Sequence, residues 1–347
     1  MRKRWCAPLL AALVVLALGG CSGAASRGAG GFRVGLVTDA GKVDDKSFNQ
    51  SIWEGVQSAQ RDVQGITEIK YIETIDPKDY EKNIAQFAEA GYDVVVTVGF
   101  ALTDATYSAA KRYPKTRFIG VDQFLTRDDR HAEWPLPNLV GIVFDDDKAG
   151  FLAGALAASM TRSGTIGAVL ATDAVPPVWR FGEGYKAGAK YVNPAVNVVV
   201  VFHNDVGIDK TFSDPEWGKT TAQAQVDRGA DVIFGAGGKT GNGALIGTVE
   251  RGAYAIGVDS DQWYTVPEAR KGLLSSAMKL LTPSTAQVIR AAKEGTFSGG
   301  LHTGPVGLAP FHALEGDVPE AVKARLQEID RGLADGSLKT GIPTSKS

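Results

Sequence analysis

Ala90-Gly91-Tyr92-Asp93-Val94-Val95 is followed, 29 residues beyond Asp93, by Ile119-Gly120-Val121-Asp122; Arg228-Gly229-Ala230-Asp231-Val232-Ile233 is followed, 28 residues beyond Asp231, by Ile256-Gly257-Val258-Asp259. In each pair a glycine ends a helical pattern, a short β-branched run follows, and a second apolar run closes on an aspartate. Thr38-Asp39-Ala40 has its counterpart in Thr172-Asp173-Ala174. Matched spacing of this kind predicts two like lobes.

The segments around these pairs alternate between strand and helix patterns. Phe32–Thr38, Glu68–Ile72, Asp93–Val98, Arg117–Val121 and Leu139–Phe144 read as short buried strands. Phe48–Val63, Asp79–Ala90 and Thr103–Arg112 read as the helices between them. A second series has strands at Thr165–Leu170, Val196–Phe202, Asp231–Phe234 and Tyr254–Val258, with helices near Phe181–Tyr191, Thr220–Arg228 and Asn242–Arg251. Residues 148–160 form a helix joining the series, and Leu273–Met278 is the last strongly apolar strand candidate. A βαβαβ order implies α/β lobes with doubly wound parallel sheets.

Composition bounds the function. The chain has 347 residues, 37 basic and 39 acidic, and a formal charge of −2, which argues against nucleic acid as a partner. Met1-Arg2-Lys3-Arg4 followed by apolar Ala7–Leu18 reads as a secretory signal over residues 1–20. Leu18-Gly19-Gly20-Cys21 resembles a bacterial lipobox, so Cys21 is expected to carry lipid, with 21–31 as a flexible tether. Loss of the signal's three cations moves the charge from −2 to −5 and removes Cys6, the other cysteine. The expected location is the extracytoplasmic face of the cell membrane, lipid-anchored.

Ligands of open parallel sheets bind beyond the carboxyl ends of the strands. Asp39, Asp122 and Asp259 each follow an apolar run and so fall at that edge. One strand-end aspartate reads equally well as a helix cap; three facing one cleft point to a ligand rich in hydrogen-bond donors, and away from phosphate. Signatures of catalysis are missing. Gly235–Thr240 resembles a phosphate loop, but Ile233 stands where its first glycine belongs. The four histidines (131, 203, 302 and 312) lack metal-ligand spacing, and no G-x-S-x-G occurs. No enzyme, cofactor or metal is therefore expected.

Residues 37–50, Val-Thr-Asp-Ala-Gly-Lys-Val-Asp-Asp-Lys-Ser-Phe-Asn-Gln, with Trp53-Glu54-Gly55, resemble the opening of the basic membrane protein family, the purine nucleoside receptor A-like, lipid-anchored substrate-binding proteins of ABC importers. The resemblance continues through Gly120–Gln123, Phe181–Gly188 and Gly257–Gln262 to Ser275–Lys279. It implies a type I periplasmic-binding-protein fold with a three-crossover hinge. The implied lobes are 32–145 plus about 280–305, and 146–279 plus about 306–347. It also implies a nucleoside ligand, with a cognate permease and ATPase as partners.

Carried over motif by motif, the implied ligand residues are Asp39, Phe48, Asn49 and Asp122 from the first lobe, and Phe212, Gly237, Gly238, Asp259 and Lys279 from the second. Two aromatics would sandwich the base and carboxylates would hold the ribose. Trp217 competes with Phe212 for the second ring, and the register of the Gly237-Gly238 turn is open. Asp45 and Ser47 read as caps, Ser47-x-x-Gln50 matching a capping box; Trp53 and Phe181 read as packing. Another flat ligand such as riboflavin, a sensing role, and a nucleoside hydrolase are the alternatives.

Overall fold

Valine- and isoleucine-rich runs form the centres of two sheets. The structure, a computed structural model, describes residues 31–39, 41–344 and 346. The signal, Cys21 and nearly all of the tether lie outside them. The first sheet contains β1 (Phe32–Thr38), β2 (Ile66–Ile72), β3 (Val94–Val98), β4 (Arg117–Val121) and β5 (Leu139–Phe144). The second contains β6 (Thr165–Leu170), β7 (Asn197–Phe202), β8 (Val232–Ala236), β9 (Tyr254–Asp259) and β10 (Leu273–Lys279). Two late strands, β11 (Gly300–Gly304) and β12 (Val306–Leu308), complete one sheet each. The orders are β11-β5-β4-β3-β1-β2 and β12-β10-β9-β8-β6-β7. Every pairing is parallel except β10 with β12. Central strands are buried on both faces, as parallel sheets covered by helices require.

The helices are α1 (Phe48–Asp62), α2 (Tyr80–Glu89), α3 (Thr103–Arg112), α4 (Asp146–Met160), α5 (Pro176–Val192), α6 (Ile208–Thr211), α7 (Pro215–Asp227), α8 (Gly238–Glu250), α9 (Gln262–Thr265), α10 (Leu281–Glu294) and α11 (Glu320–Asp335). In α1, Ile52, Val56 and Ala59 bury one face at i, i+4 and i+7. α4 is buried almost throughout because α5 lies directly on it. A Cβ on Gly154 would stand 1.9 Å from the Tyr185 carbonyl oxygen, and one on Gly188 1.9 Å from that of Phe151. Only glycine lets the two backbones approach so closely.

The sequence-derived strands agree with the observed ones to within two residues, and the two doubly wound lobes are present. Beyond Met278 the apolar pattern is too short to read. α10 packs its Val288 and Ile289 in the first lobe's core, while Leu326, Ile329 and Leu333 of α11 join the second lobe's. The chain passes between the sheets after β5, after β10 and between β11 and β12.

Candidate ligand-binding site

The carboxyl ends of both sheets face one cavity of about 360 Å³ between the lobes. All nine residues singled out in the sequence line it: Asp39 after β1, Phe48 and Asn49 opening α1, Asp122 after β4, Phe212 after α6, Gly237 and Gly238 after β8, and Asp259 and Lys279 closing β9 and β10. Asp122 and Asp259, the repeated Ile-Gly-Val-Asp aspartates, adopt the same left-handed backbone, φ 58° and 64°. Aspartate tolerates that region better than most residues. None of the three strand-end aspartates caps a helix. The repeat breaks at Asp173, which lies outside the cavity lining and accepts from Asn204 Nδ2 at 3.0 Å.

Two glycines in the turn after β8 permit close approach. Both have positive φ; a Cβ on Gly237 would stand 2.3 Å from that of Ala171, and one on Gly238 2.9 Å from the Phe212 carbonyl oxygen. Phe212, not Trp217, lines the cavity. Trp217 stacks on His203, ring centres 3.9 Å apart, with its backbone N–H donating to the Asp214 cap. Phe100 and Phe181 also line the cavity. Phe100 carries no motif in the sequence, yet it follows the end of β3 at the same strand edge as Asp122 after β4. Phe181 packs on Phe234 as expected of a core residue and faces the cavity as well.

The capping box is not formed. Asp45 alone caps α1, accepting the backbone N–H groups of Ser47 (2.9 Å), Asn49 (2.9 Å) and Gln50 (3.1 Å). Ser47 Oγ instead donates across the cleft to Asp259 Oδ2 at 3.0 Å, and Gln50 Nε2 donates to Glu54. The same loop makes further contacts with the second lobe. Asn242 Nδ2 donates to the Asp45 carbonyl at 2.8 Å, Thr265 Oγ1 to that of Lys46 at 2.8 Å, and Lys239 Nζ pairs with Asp44 at 3.1 Å. The two lobes are thus in contact along one rim of the cavity.

Charge is concentrated inside. Lys279 Nζ lies 2.5 Å from Asp122 Oδ2, 3.1 Å from Asp146 Oδ1 and 3.9 Å from Asp259 Oδ1. Burial opposes its charge, but Asp122, Asp146 and Asp259 outweigh burial and hold its pKa above the usual lysine range. Burial, with repulsion from Asp122, raises Asp39 to about 6 despite a hydrogen bond from the Gly41 N–H. Burial also raises Asp259, against the pull of Lys279. Two buried acceptors on lining side chains, Asn49 Oδ1 and Asp122 Oδ1, have no hydrogen-bond partner among the described residues.

Two α/β lobes enclosing a cavity at their strand ends define the type I periplasmic binding protein class, which the solved structures support. One solute-binding protein of an ABC transporter system from Aeropyrum pernix K1 superposes with a TM-score of 0.76 at 25% identity, covering 91% of this chain and 94% of that one. Residues 32–329 match the family described as ABC transporter substrate-binding protein PnrA-like, and the chain belongs to that family. An ABC transporter nucleoside-binding protein of Lactococcus lactis is 32% identical, over 95% of this chain and 98% of that one. A CD4+ T-cell-stimulating antigen of Listeria monocytogenes is also 32% identical, over 89% and 87%.

Proposed function

We propose that the protein is a lipid-anchored receptor that binds a purine nucleoside between its lobes and hands it to the permease and ATPase of an ABC importer, with no catalytic step. The observation that carries this reading is the pairing of aromatic walls from both lobes with buried acceptors, Asn49 Oδ1 and Asp122 Oδ1, that have no partner among the described residues. Phe48 and Phe212 supply ring faces for a base, a contact that contributes about 1–3 kcal/mol. Asp122 and Asp259 accept from the ribose hydroxyls, Lys279 donates to them, and Asp39 with Asn49 takes the donors of the base edge. Carboxylates accept only, so a nucleoside fits where a nucleotide's phosphate is repelled. The nucleoside-binding relative from Lactococcus supports the same ligand class.

The lobes are taken as 32–145 with about 280–305, and 146–279 with about 306–347; the three crossing segments serve as the hinge. Cys21 is the anchor, at the end of a tether that keeps the lobes near the membrane. Among the described residues no helix is long and apolar enough to cross a membrane.

The test is native purification with mass spectrometry of the co-purifying ligand, followed by calorimetry against purine and pyrimidine nucleosides, nucleoside monophosphates and riboflavin. A purine nucleoside should bind tightest and its monophosphate poorly. Tight riboflavin binding without nucleoside binding, or release of free base from inosine, would remove the proposal.

A further inference from the structure

Lys279 closes β10 one residue before the chain leaves the second sheet, and Asp146 opens α4 just after the chain has arrived from the first. Their ion pair therefore joins two of the crossing segments. An ammonium has three protons. Asp122 and Asp146 take two of them, at 2.5 and 3.1 Å, while Asp259 at 3.9 Å lies beyond hydrogen-bond reach. The third meets no acceptor within hydrogen-bond reach among the described residues. The rings of Phe48, Phe144 and Phe181 surround the cation, their centres 4.9, 5.4 and 5.6 Å away.

Asp146 is wholly buried and does not line the cavity. Its second oxygen lies 3.5 Å from Arg180 Nη1, which also donates to the Phe144 carbonyl at 3.2 Å. The other arm of the Arg180 fork pairs with Asp147, which in turn accepts from Thr340 Oγ1. Asp146 is thus fixed from behind by a planar, two-armed donor, a role lysine cannot copy. Both carboxylates sit in the first turn of α4, where the helix dipole favours them.

We propose that Asp146 and Arg180 are positioning residues for the ligand: by holding the Lys279 ammonium back toward the hinge, they leave Asp122 Oδ1 and Asp259 Oδ1 open to ligand hydroxyls, Asp259 Oδ2 being taken by Ser47. With Asp146 neutral, the ammonium moves toward Asp259 and occupies acceptors the ribose would use. The loss then falls on ligands that carry those hydroxyls. A carboxylate that merely balanced charge in the fold would affect all ligands alike.

This inference rests on the nucleoside reading. The experiment is calorimetry of a purine nucleoside and its 2′,3′-dideoxy analogue against wild type, Asp146→Asn and Arg180→Lys, with thermal unfolding of each. Wild type should favour the hydroxylated ligand strongly. Asp146→Asn should weaken nucleoside binding by about tenfold or more, the size expected for one charged hydrogen bond, and the dideoxy analogue far less. Arg180→Lys, which keeps the charge, should move the same way by a smaller factor and serves if Asp146→Asn does not fold. Equal losses for both ligands, or no loss, would overturn the positioning role alone. Wild type that binds no nucleoside would overturn the underlying reading, and this role with it.

Discussion

Replacing Asp39 by asparagine should make the ligand-free protein more stable and the ligand bind more weakly. Asp39 is half-buried at the end of β1 and lines the cavity. Its neighbours are chiefly apolar or acidic: Tyr80, Phe100 and the Asp122 charge. Burial raises its pKa from 3.8 to about 6, so the folded state binds this proton more tightly than the unfolded chain does. Stability from this group is then fully present below pH 3.8 and is lost as pH rises through about 6. The full shift corresponds to about 3 kcal/mol of lost stability, and solvent screening of this half-buried carboxylate reduces it to about 1–2 kcal/mol.

Asparagine keeps the shape and can still accept the Gly41 N–H, now 3.2 Å from Asp39 Oδ1, but never ionises. Asp39→Asn should therefore match wild type near pH 4 and exceed it above pH 7, by about 2–4 °C or more in thermal midpoint. Calorimetry at pH 7.5 should show the opposite sign for binding. A charged acceptor replaced by a neutral one weakens a hydrogen bond by about 1–2 kcal/mol, or about 5–30-fold in Kd. Unfolding curves of the two proteins that differ by a constant amount across pH 4–8, or a variant less stable than wild type at pH 7.5, would refute the burial argument.

Phe48→Ala should weaken nucleoside binding by about 1–3 kcal/mol in calorimetry and lower the thermal midpoint only modestly, because the half-buried ring lines the cavity and packs only partly against the first lobe's core. Gly154→Ala should lower stability by about 1–3 kcal/mol in urea unfolding, since the added methyl meets the Tyr185 carbonyl oxygen at 1.9 Å and α4 must shift. Asn242→Ala removes a contact made only when the lobes touch, to the Asp45 carbonyl at 2.8 Å; it should lower nucleoside affinity about 5-fold and enlarge the protein in small-angle scattering with ligand bound. Cys21→Ser should release the protein from the membrane fraction of a lipoprotein-processing bacterium, with mass spectrometry showing no acyl chain.

Local pattern alone determined the two sheets. Val94–Val98 and Val232–Ala236 are apolar runs too short for a helix and too β-branched for a loop, and their distances to Asp122 and Asp259, which differ by one residue, make the lobes' likeness legible in the chain. The edge rule then placed Asp39, Asp122 and Asp259 at one rim, because strand ends are local features, and the family resemblance added Lys279. It failed where a residue's partner is distant in sequence. Ser47 reads as a cap, yet its hydroxyl is drawn to Asp259, 212 residues away, and Asp45 already satisfies the helix. Phe212 and Trp217 are indistinguishable as a pair of aromatics, and only the stacking of Trp217 on His203 excludes the tryptophan from the cavity. Asp146 falls just ahead of the 148–160 helical pattern, where nothing along the chain marks it; that it is wholly buried and shares Lys279 with Asp122 follows from three chain segments meeting between the lobes. Strand and helix periods arise from neighbours along the chain and are written in it, whereas a buried charge takes its meaning from the groups that exclude water around it, and those are assembled only when the two lobes fold together.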